Sequence, residues 1–118
     1  MSAPLVAVVD DDARIRDLLA AELEDLGAEV LRCCEGSELL NAEQLSEVQL
    51  VLLDWMMPGL NGEATLLALR TRQFSGRVVV VTALCDPQVK ATAQAAGAAA
   101  TLLKTEALEQ LERWLNQG

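Results

Sequence analysis

Acidic residues and residues suited to phosphate binding stand directly after apolar runs of this sequence. They are Asp10, Asp11, Asp12, Asp54, Thr82 and Lys104. Carboxylates brought to one point repel each other unless a cation lies among them. Because the chain has no histidine and no cluster of thiolates near these acids, their hard oxygen atoms favour magnesium as that cation. A lysine and a threonine hydroxyl facing the acids suit the negative oxygens of a phosphate, so the set predicts Mg²⁺-dependent phosphate chemistry.

Five short apolar runs lead up to these residues and must position them. Continuous runs rich in valine and leucine are typical of strands buried on both faces of a parallel sheet. The predicted strands are Leu5 to Asp10, Glu29 to Cys33, Leu50 to Asp54, Arg77 to Thr82 and Thr101 to Lys104. Each acid alone has a structural explanation, such as a helix cap. Together, at the ends of parallel strands, they are expected to meet at one edge of the sheet.

Helical periodicity fills the gaps between the predicted strands. The five predicted helices cover about 15–26, 37–45, 63–71, 87–96 and 105–116. Asp12 is the expected N-cap of the first helix and Gly27 its C-terminal stop. Strands that alternate with helices predict a doubly wound α/β fold with helices on both faces and right-handed crossovers. The strand order 2-1-3-4-5 is one of the two common solutions, and periodicity alone does not choose between them.

Length and composition restrict the class of protein. The 118 residues support one domain, expected to be 1–118. The net charge of −9 argues against nucleic acid or an anionic membrane as a direct partner. No apolar run reaches the roughly 18 residues of a membrane span, and no signal-peptide pattern is visible. We therefore expect a cytoplasmic protein, and the cysteines, Cys33, Cys34 and Cys85, lack Cys-x-x-Cys spacing and fit reduced thiols.

The ordered motifs of the chain resemble those of response-regulator receiver domains of two-component signalling. The matching segments are Val8 to Asp12, Asp54 to Gly62, Thr82-Ala83, and Ala96 to Ala98 followed by Lys104. The resemblance covers essentially the whole chain. It implies the flavodoxin-like fold of the chemotaxis-regulator type, from which the strand order 2-1-3-4-5 is taken.

The resemblance also implies a metal-assisted phosphoacceptor. Asp54 would be the nucleophile that becomes an acyl phosphate and would also bind Mg²⁺. Asp11 would bind the metal directly and Asp10 through water. The backbone carbonyl of Met56 would complete the protein ligands, and Ala83 would join Met56 among the cofactor-binding residues. Phosphoryl transfer needs positioning and charge neutralisation above all, which such a set supplies.

The remaining roles implied by the resemblance concern the phosphoryl group and its route. Thr82 would hold one phosphoryl oxygen and Lys104 another. Because the chain has no histidine, a phosphohistidine must come from a partner, either a sensor histidine kinase or a histidine phosphotransfer protein. Output would reach a downstream protein target through altered protein contacts. The chain would act as a self-phosphorylating and self-dephosphorylating switch and not as a turnover enzyme.

Two positions depart from the family pattern. Relatives usually have tyrosine or phenylalanine three residues before the lysine, where this chain has Thr101. In relatives that ring couples the phosphorylation site to the face formed by helix four, strand five and helix five. Without the ring, the sequence leaves open how phosphorylation changes the contacts of this chain with its target. Relatives also usually carry proline after the lysine, often with a cis peptide bond, where this chain has Thr105. A cis bond without proline costs about 3 kcal/mol, so we expect either a trans bond with a shifted Lys104 or a strained cis bond, with Thr105 a candidate N-cap.

Several alternatives stay open at this point. The domain could stand alone, which the initial Met and the lack of a trailing linker favour, or precede an effector domain. It could be a degenerate receiver that serves as a binding module. The Asp10-x-Asp12 spacing also suggests a haloacid-dehalogenase-type phosphatase, although that leaves Asp54 unexplained. A flavodoxin is disfavoured because an acidic cluster would repel the phosphate of its flavin.

The sequence also makes a prediction about the lifetime of the phosphorylated state. Met56 and Leu84 stand two residues after Asp54 and Thr82, beside the expected approach of water, and both are bulky and apolar. We predict that replacing them with Asn and Glu, respectively, speeds dephosphorylation, measured as loss of the phosphorylated form after the donor is removed. An unchanged rate would contradict this role.

Overall fold

A computed structural model describes residues 3–57, 59–83 and 86–116 of the chain. Within these ranges, five strands alternate with five α-helices, as the periodicity predicted. The strands are β1 Leu5–Val9, β2 Glu29–Cys33, β3 Val48–Asp54, β4 Arg77–Thr82 and β5 Ala100–Leu103. The helices are α1 Ala13–Asp25, α2 Gly36–Leu40, α3 Gly62–Thr71, α4 Pro87–Ala95 and α5 Lys104–Leu115, with a 3₁₀ helix at Glu43–Glu47.

The strands form one parallel sheet in the order β2-β1-β3-β4-β5, which confirms the predicted fold class and order. Successive residues of β1 enter opposite hydrophobic cores, with Ala7 and Val9 on one side and Val6 and Val8 on the other. This two-sided burial explains why the strand sequences are continuously apolar. None of the described helices is long and apolar enough to cross a membrane.

Helices cover both faces of the sheet. Leu66 of α3 and Ala93 of α4 belong to one core, and Leu23 of α1 and Leu111 of α5 belong to the other. A fully buried leucine contributes about 1.5–3 kcal/mol relative to an exposed one. The two cores therefore hold the sheet rigidly, and its carboxyl edge is left to carry polar residues.

Local capping explains where most helices begin. Asp12 accepts a hydrogen bond from the Arg14 N–H at 2.9 Å, which confirms it as the N-cap of α1. Asn61 caps α3 by accepting from the Ala64 N–H at 2.9 Å. The predicted stop after α1 is also confirmed, because Gly27 adopts φ of +96°, which favours glycine.

Two helix predictions were wrong in detail. The helix expected over 37–45 is divided into α2 and the 3₁₀ helix, because the chain turns extended at Ala42 (ψ 135°) after Asn41 ends α2. Asparagine competes with helical hydrogen bonding through its side chain. The candidate N-cap Thr105 lies inside α5, whose N-cap is Leu103. Glu106 accepts from the Leu103 N–H at 2.8 Å, which satisfies the helix start without a hydroxyl.

The peptide bond between Lys104 and Thr105 is trans, as are the other peptide bonds of the described residues. The trans alternative is therefore confirmed. Cys33 is a buried free thiol whose pKa is raised to about 12, mainly by burial. Cys34 is also free but exposed, and it donates a hydrogen bond to Glu38. The third cysteine, Cys85, lies outside the described residues.

We predict that Gly36→Ala destabilises the contact between α2 and α3. A Cβ at position 36 would overlap the Thr65 Oγ1 atom, and Thr65 is fully buried. Crowding of a packed core costs about 1–3 kcal/mol of the free energy of unfolding, which urea denaturation measures. Thr65→Ala removes the overlapping hydroxyl, so the double variant should recover part of the loss. Strictly additive losses in a double-mutant cycle would contradict this contact.

Candidate functional site

The parallel register brings the acidic residues to neighbouring positions. Val9 of β1 pairs with Leu53 of β3, so Asp10 and Asp54 are the next residues on adjacent strands. The next polar residues toward β5 each lie one position later in the strand pairing. Thr82 is the residue after the β4 partner of Asp54. Lys104 is the residue after Leu103, which is the β5 partner of Thr82. The sheet register therefore sets this row of side chains along one edge.

Three acids come together at this edge as predicted. One carboxylate oxygen each of Asp10, Asp11 and Asp54 lies within 4.8 Å of the others. Asp10 and Asp54 are only 2% and 3% exposed, whereas Asp11 is exposed. Three hard oxygen donors at this spacing, two of them buried and one open to solvent, fit a divalent cation. The cluster could hold a metal ion.

Lys104 supplies the positive charge in this arrangement. Its Nζ atom lies 3.2 Å from Asp10 Oδ2 and 3.5 Å from Asp54 Oδ2. Burial lowers the pKa of Lys104, but the carboxylates of Asp54 and Asp10 outweigh burial and raise it. The lysine therefore stays an ammonium ion, and the trans bond to Thr105 does not keep it from the acids.

The surroundings of Asp54 disfavour its charged form. Its pKa is raised to about 7, first because the carboxyl is buried and second because the charge of Asp10 lies beside it. Lys104 acts in the opposite sense without cancelling these effects. One ammonium group therefore does not neutralise this set of acids, and a bound cation would relieve the remaining repulsion.

The turn between β1 and α1 orients Asp10. The Asp12 N–H donates to Asp10 Oδ1 at 2.9 Å, which fixes that carboxylate. Arg16, from the first turns of α1, donates from Nη1 to the Asp10 backbone carbonyl at 2.8 Å. Arg16 was not among the site residues predicted from the sequence. Its available signal was an arginine four residues after the N-cap Asp12, the spacing that lets a helix side chain reach back over its own start.

The loop after β3 returns close to Asp54 because of Gly62. A Cβ at this position would lie 2.6 Å from the Asp54 carbonyl oxygen and 2.7 Å from Trp55 Cα, so only glycine fits. The Gly62 N–H donates to the Trp55 carbonyl at 3.1 Å. The loop also brings the Met56 N–H to 3.4 Å from Asp54 Oδ1, while the Met56 side chain is 75% exposed.

The remaining predicted residues lie near the same edge or outside the described ranges. Thr82 is buried at the end of β4, and Ala83 after it is exposed. Thr101, at the position where an aromatic ring was expected from the resemblance, is 9% exposed within β5. Pro58 and Leu84 are outside the described residues, so the proposed effect of Leu84 on hydrolysis stays a prediction.

Similarity to known proteins identifies the family of this chain. Residues 6–116 match the model of the response regulator receiver domain. The chain belongs to the receiver-domain family. It is thus a receiver domain of the response regulators that serve two-component systems, as the motifs indicated.

Individual relatives agree with the family match. The receiver domain is 36% identical over 110 residues to the transcriptional activator protein PfeR of Pseudomonas aeruginosa, covering 93% of this chain and 36% of PfeR. It is 38% identical over 86 residues to the sensor protein GacS of Pseudomonas syringae, covering 69% of this chain and 10% of GacS. The chain spans less than half the length of the curated relatives it matches.

A solved structure shows the same fold. The receiver domain of Francisella response regulator 1452 superposes with a TM-score of 0.87 at 27% identity, covering 96% of this chain and 93% of that one. The two receiver domains therefore share one fold.

For metal-free protein, we predict that the free energy of unfolding falls as the pH rises from about 4 to 7. The folded state keeps a proton on Asp54 up to about pH 7, whereas the unfolded chain releases it near pH 4. The contribution approaches about 1.4 kcal/mol per pH unit, the slope for one proton. Urea titrations of wild type and Asp54→Asn should differ by this slope, and identical pH profiles would contradict it.

A parallel experiment measures the stability of the same proteins with added Mg²⁺. Because a cation favours the charged carboxylates, added Mg²⁺ should raise the unfolding temperature most at and above pH 7. Trp55 adjoins Asp54 and should report binding through its fluorescence. Asp12→Asn is the control, since Asn keeps the N-cap and position 12 is outside the acid cluster. Loss of the magnesium response in this control would point to general charge effects instead of the cluster.

Proposed function

We propose that the domain is a phosphoacceptor switch that takes a phosphoryl group onto Asp54 in a Mg²⁺-dependent reaction. The observation that carries this proposal is the convergence of Asp10, Asp11 and Asp54 within 4.8 Å, with the Lys104 ammonium 3.5 Å from Asp54. A nucleophilic carboxylate, a site for a divalent cation and a positive side chain are the parts that phosphoryl transfer requires.

In the proposed reaction, a carboxylate oxygen of Asp54 attacks the phosphorus of a phosphohistidine on a partner protein. The new O–P bond forms an acyl phosphate, and the P–N bond breaks with its electron pair returning to the histidine nitrogen. Asp10, Asp11, Asp54 and the Met56 carbonyl would hold Mg²⁺, which when bound offsets negative charge on the carboxylate and the phosphoryl group. Lys104 and Thr82 would each hold a phosphoryl oxygen, and Ala83 would line the site.

Lys104 has two roles in this proposal. Before transfer it pairs with Asp10 and Asp54 at 3.2 and 3.5 Å and reduces their repulsion. After transfer it is free to pair with a phosphoryl oxygen, because the modified Asp54 no longer presents a full carboxylate. The same ammonium group thus forms ion pairs before and after phosphorylation. Its partner changes from the Asp54 carboxylate to a phosphoryl oxygen when the domain is phosphorylated.

The proposed partners follow from the same chemistry. The donor is a sensor histidine kinase or a histidine phosphotransfer protein, because the chain has no histidine of its own. The output passes to a downstream protein target by altered contacts, without turnover of a substrate and without direct binding of nucleic acid or membrane. We place this exchange in the cytoplasm and treat residues 1–118 as one domain.

The contacts of particular residues argue against the phosphatase and the degenerate receiver. A haloacid-dehalogenase-type phosphatase needs Asp12 as a second acid at the reaction centre, but its carboxylate caps α1. A degenerate receiver would lack part of the acid and lysine set, which here is brought together. Neither alternative accounts for Asp54 beside Lys104 as well as the phosphoacceptor does.

The decisive experiment is incubation with a small phosphodonor and Mg²⁺, read by intact mass. We expect wild type to gain one phosphoryl group and Asp54→Asn to gain none. Lys104→Met should reduce the phosphorylation rate by at least tenfold, since one charge-assisted contact is worth roughly 1.5–3 kcal/mol. Asp12→Asn should match wild type. Phosphate mapped to Asp10, or retained in Asp54→Asn, would overturn the proposal.

A further inference from the structure

The side chain of Arg16 binds the main chain at the end of β1. It is half-buried on α1, and its Nη1 atom donates to the Asp10 backbone carbonyl at 2.8 Å. The ion pairs found among the described residues involve Arg14, Arg32 and Lys104. The positive charge of Arg16 is therefore held close to the acid cluster by a hydrogen bond to the main chain, and not by such an ion pair.

Asp10 is fixed through its main chain as well as through its carboxylate. Its N–H donates to the Cys33 carbonyl at 3.1 Å, and its own carbonyl accepts from Arg16. The Asp12 N–H holds Asp10 Oδ1 at 2.9 Å, and Lys104 lies 3.2 Å from Oδ2. Because Cys33 and Asp12 contribute main-chain groups, Arg16 is the partner of the Asp10 backbone that a substitution can remove.

The backbone position of Asp10 matters for a divalent cation. The side chain of aspartate is short, so the place of its carboxylate follows its backbone closely. Magnesium demands near-ideal octahedral geometry from its oxygen ligands and tolerates little displacement of any of them. Groups that do not touch a metal but orient its ligands commonly change metal affinity by about 10-fold to 100-fold. The hydrogen bond from Arg16 is a contact of this kind.

A second negative group orients Arg16 from the turn between β2 and α2. Glu38 accepts a hydrogen bond from the Cys34 N–H at 3.0 Å. Hydrogen bonds from the thiol and the N–H of Cys34 lower the pKa of Glu38, and the charge of Arg16 lowers it further. The Glu38 carboxylate and the Arg16 guanidinium therefore attract each other, which favours the placement of Arg16 beside the end of β1.

We propose that Arg16 is a positioning residue for the divalent-cation site and strengthens Mg²⁺ binding by holding the main chain of Asp10. This inference rests on the proposed function, since it concerns the Mg²⁺ that the phosphoacceptor would use, but metal binding alone tests it. The charge of Arg16 and its hydrogen bond act in opposite directions. A positive charge near the site repels a cation, whereas an ordered ligand favours one, so the sign of a substitution's effect separates the two.

The first test measures Mg²⁺ affinity by isothermal titration calorimetry and by Trp55 fluorescence. Arg16→Met should weaken Mg²⁺ binding about tenfold, although it removes a positive charge. Arg16→Lys keeps a charged donor and should stay within about threefold of wild type. Arg14→Met is the matched control on the same helix, because the Arg14 side chain is 92% exposed. It should bind Mg²⁺ as tightly as wild type or more tightly.

A double-mutant cycle tests whether Arg16 acts through Asp10. Asp10→Asn weakens the site by itself, so binding is followed with Mn²⁺, which suits the same oxygen ligands. In the Asp10→Asn background, Arg16→Met should change Mn²⁺ affinity by less than about twofold, because the ligand that it positions is already impaired. The full loss seen in the wild-type background should not recur.

Urea denaturation without metal checks that each variant is folded. If Arg16→Met does not fold, Arg16→Gln replaces it, since its side chain ends two bonds before the position of Nη1 and should give the same loss. Unchanged or tighter Mg²⁺ binding in these neutral variants would overturn the inference and leave only a charge effect. An equal loss in Arg14→Met, or a full loss that persists beside Asp10→Asn, would also overturn it.

Phosphorylation separates a positioning role from a general loss of activity. Intact-mass assays over a range of Mg²⁺ concentrations should show that Arg16→Met needs about tenfold more Mg²⁺ for half of its maximal rate. At saturating Mg²⁺ its rate should lie within about twofold of wild type. A reduced maximal rate with an unchanged Mg²⁺ requirement would overturn the inference alone. Absent phosphorylation in wild type would refute the proposed function, while the binding measurements still test Arg16.

Discussion

Repulsion between buried carboxylates is the constraint on which this structure depends. Asp10 and Asp54 are almost fully buried beside the exposed Asp11, with a single ammonium group from Lys104 between them. Burial and the charge of Asp10 raise the pKa of Asp54 to about 7, so its charged form is unfavourable there. A surface cluster would avoid this cost, but it would also lack the low-dielectric surroundings that strengthen the attraction of a cation or phosphoryl group.

The rest of the domain supplies the rigidity that keeps the acids together. Two apolar cores pack against the two faces of the sheet, and the strand register determines which side chains become neighbours. Short local contacts finish the arrangement. Arg16 and the Asp12 N–H hold the end of β1 around Asp10, and Gly62 lets the loop after β3 return to Asp54. Packing energy thus stabilises an arrangement that electrostatics alone would separate.

The sequence by itself determined the strands, the fold class and the residues of the candidate site, because continuous apolar runs and helical periodicity are local signals. It also identified Asp12 as a cap, since capping acts within one turn. Only the tertiary structure decided that Arg16 holds the Asp10 carbonyl, that Glu106 replaces Thr105 at the start of α5, and that Lys104 pairs with both buried acids. The pairing of Lys104 with the acids arises from strand register between separated segments, which no local pattern encodes. Arg16 and Glu106 bind backbone groups nearby in the sequence, and the coordinates were needed to choose them among the candidate side chains.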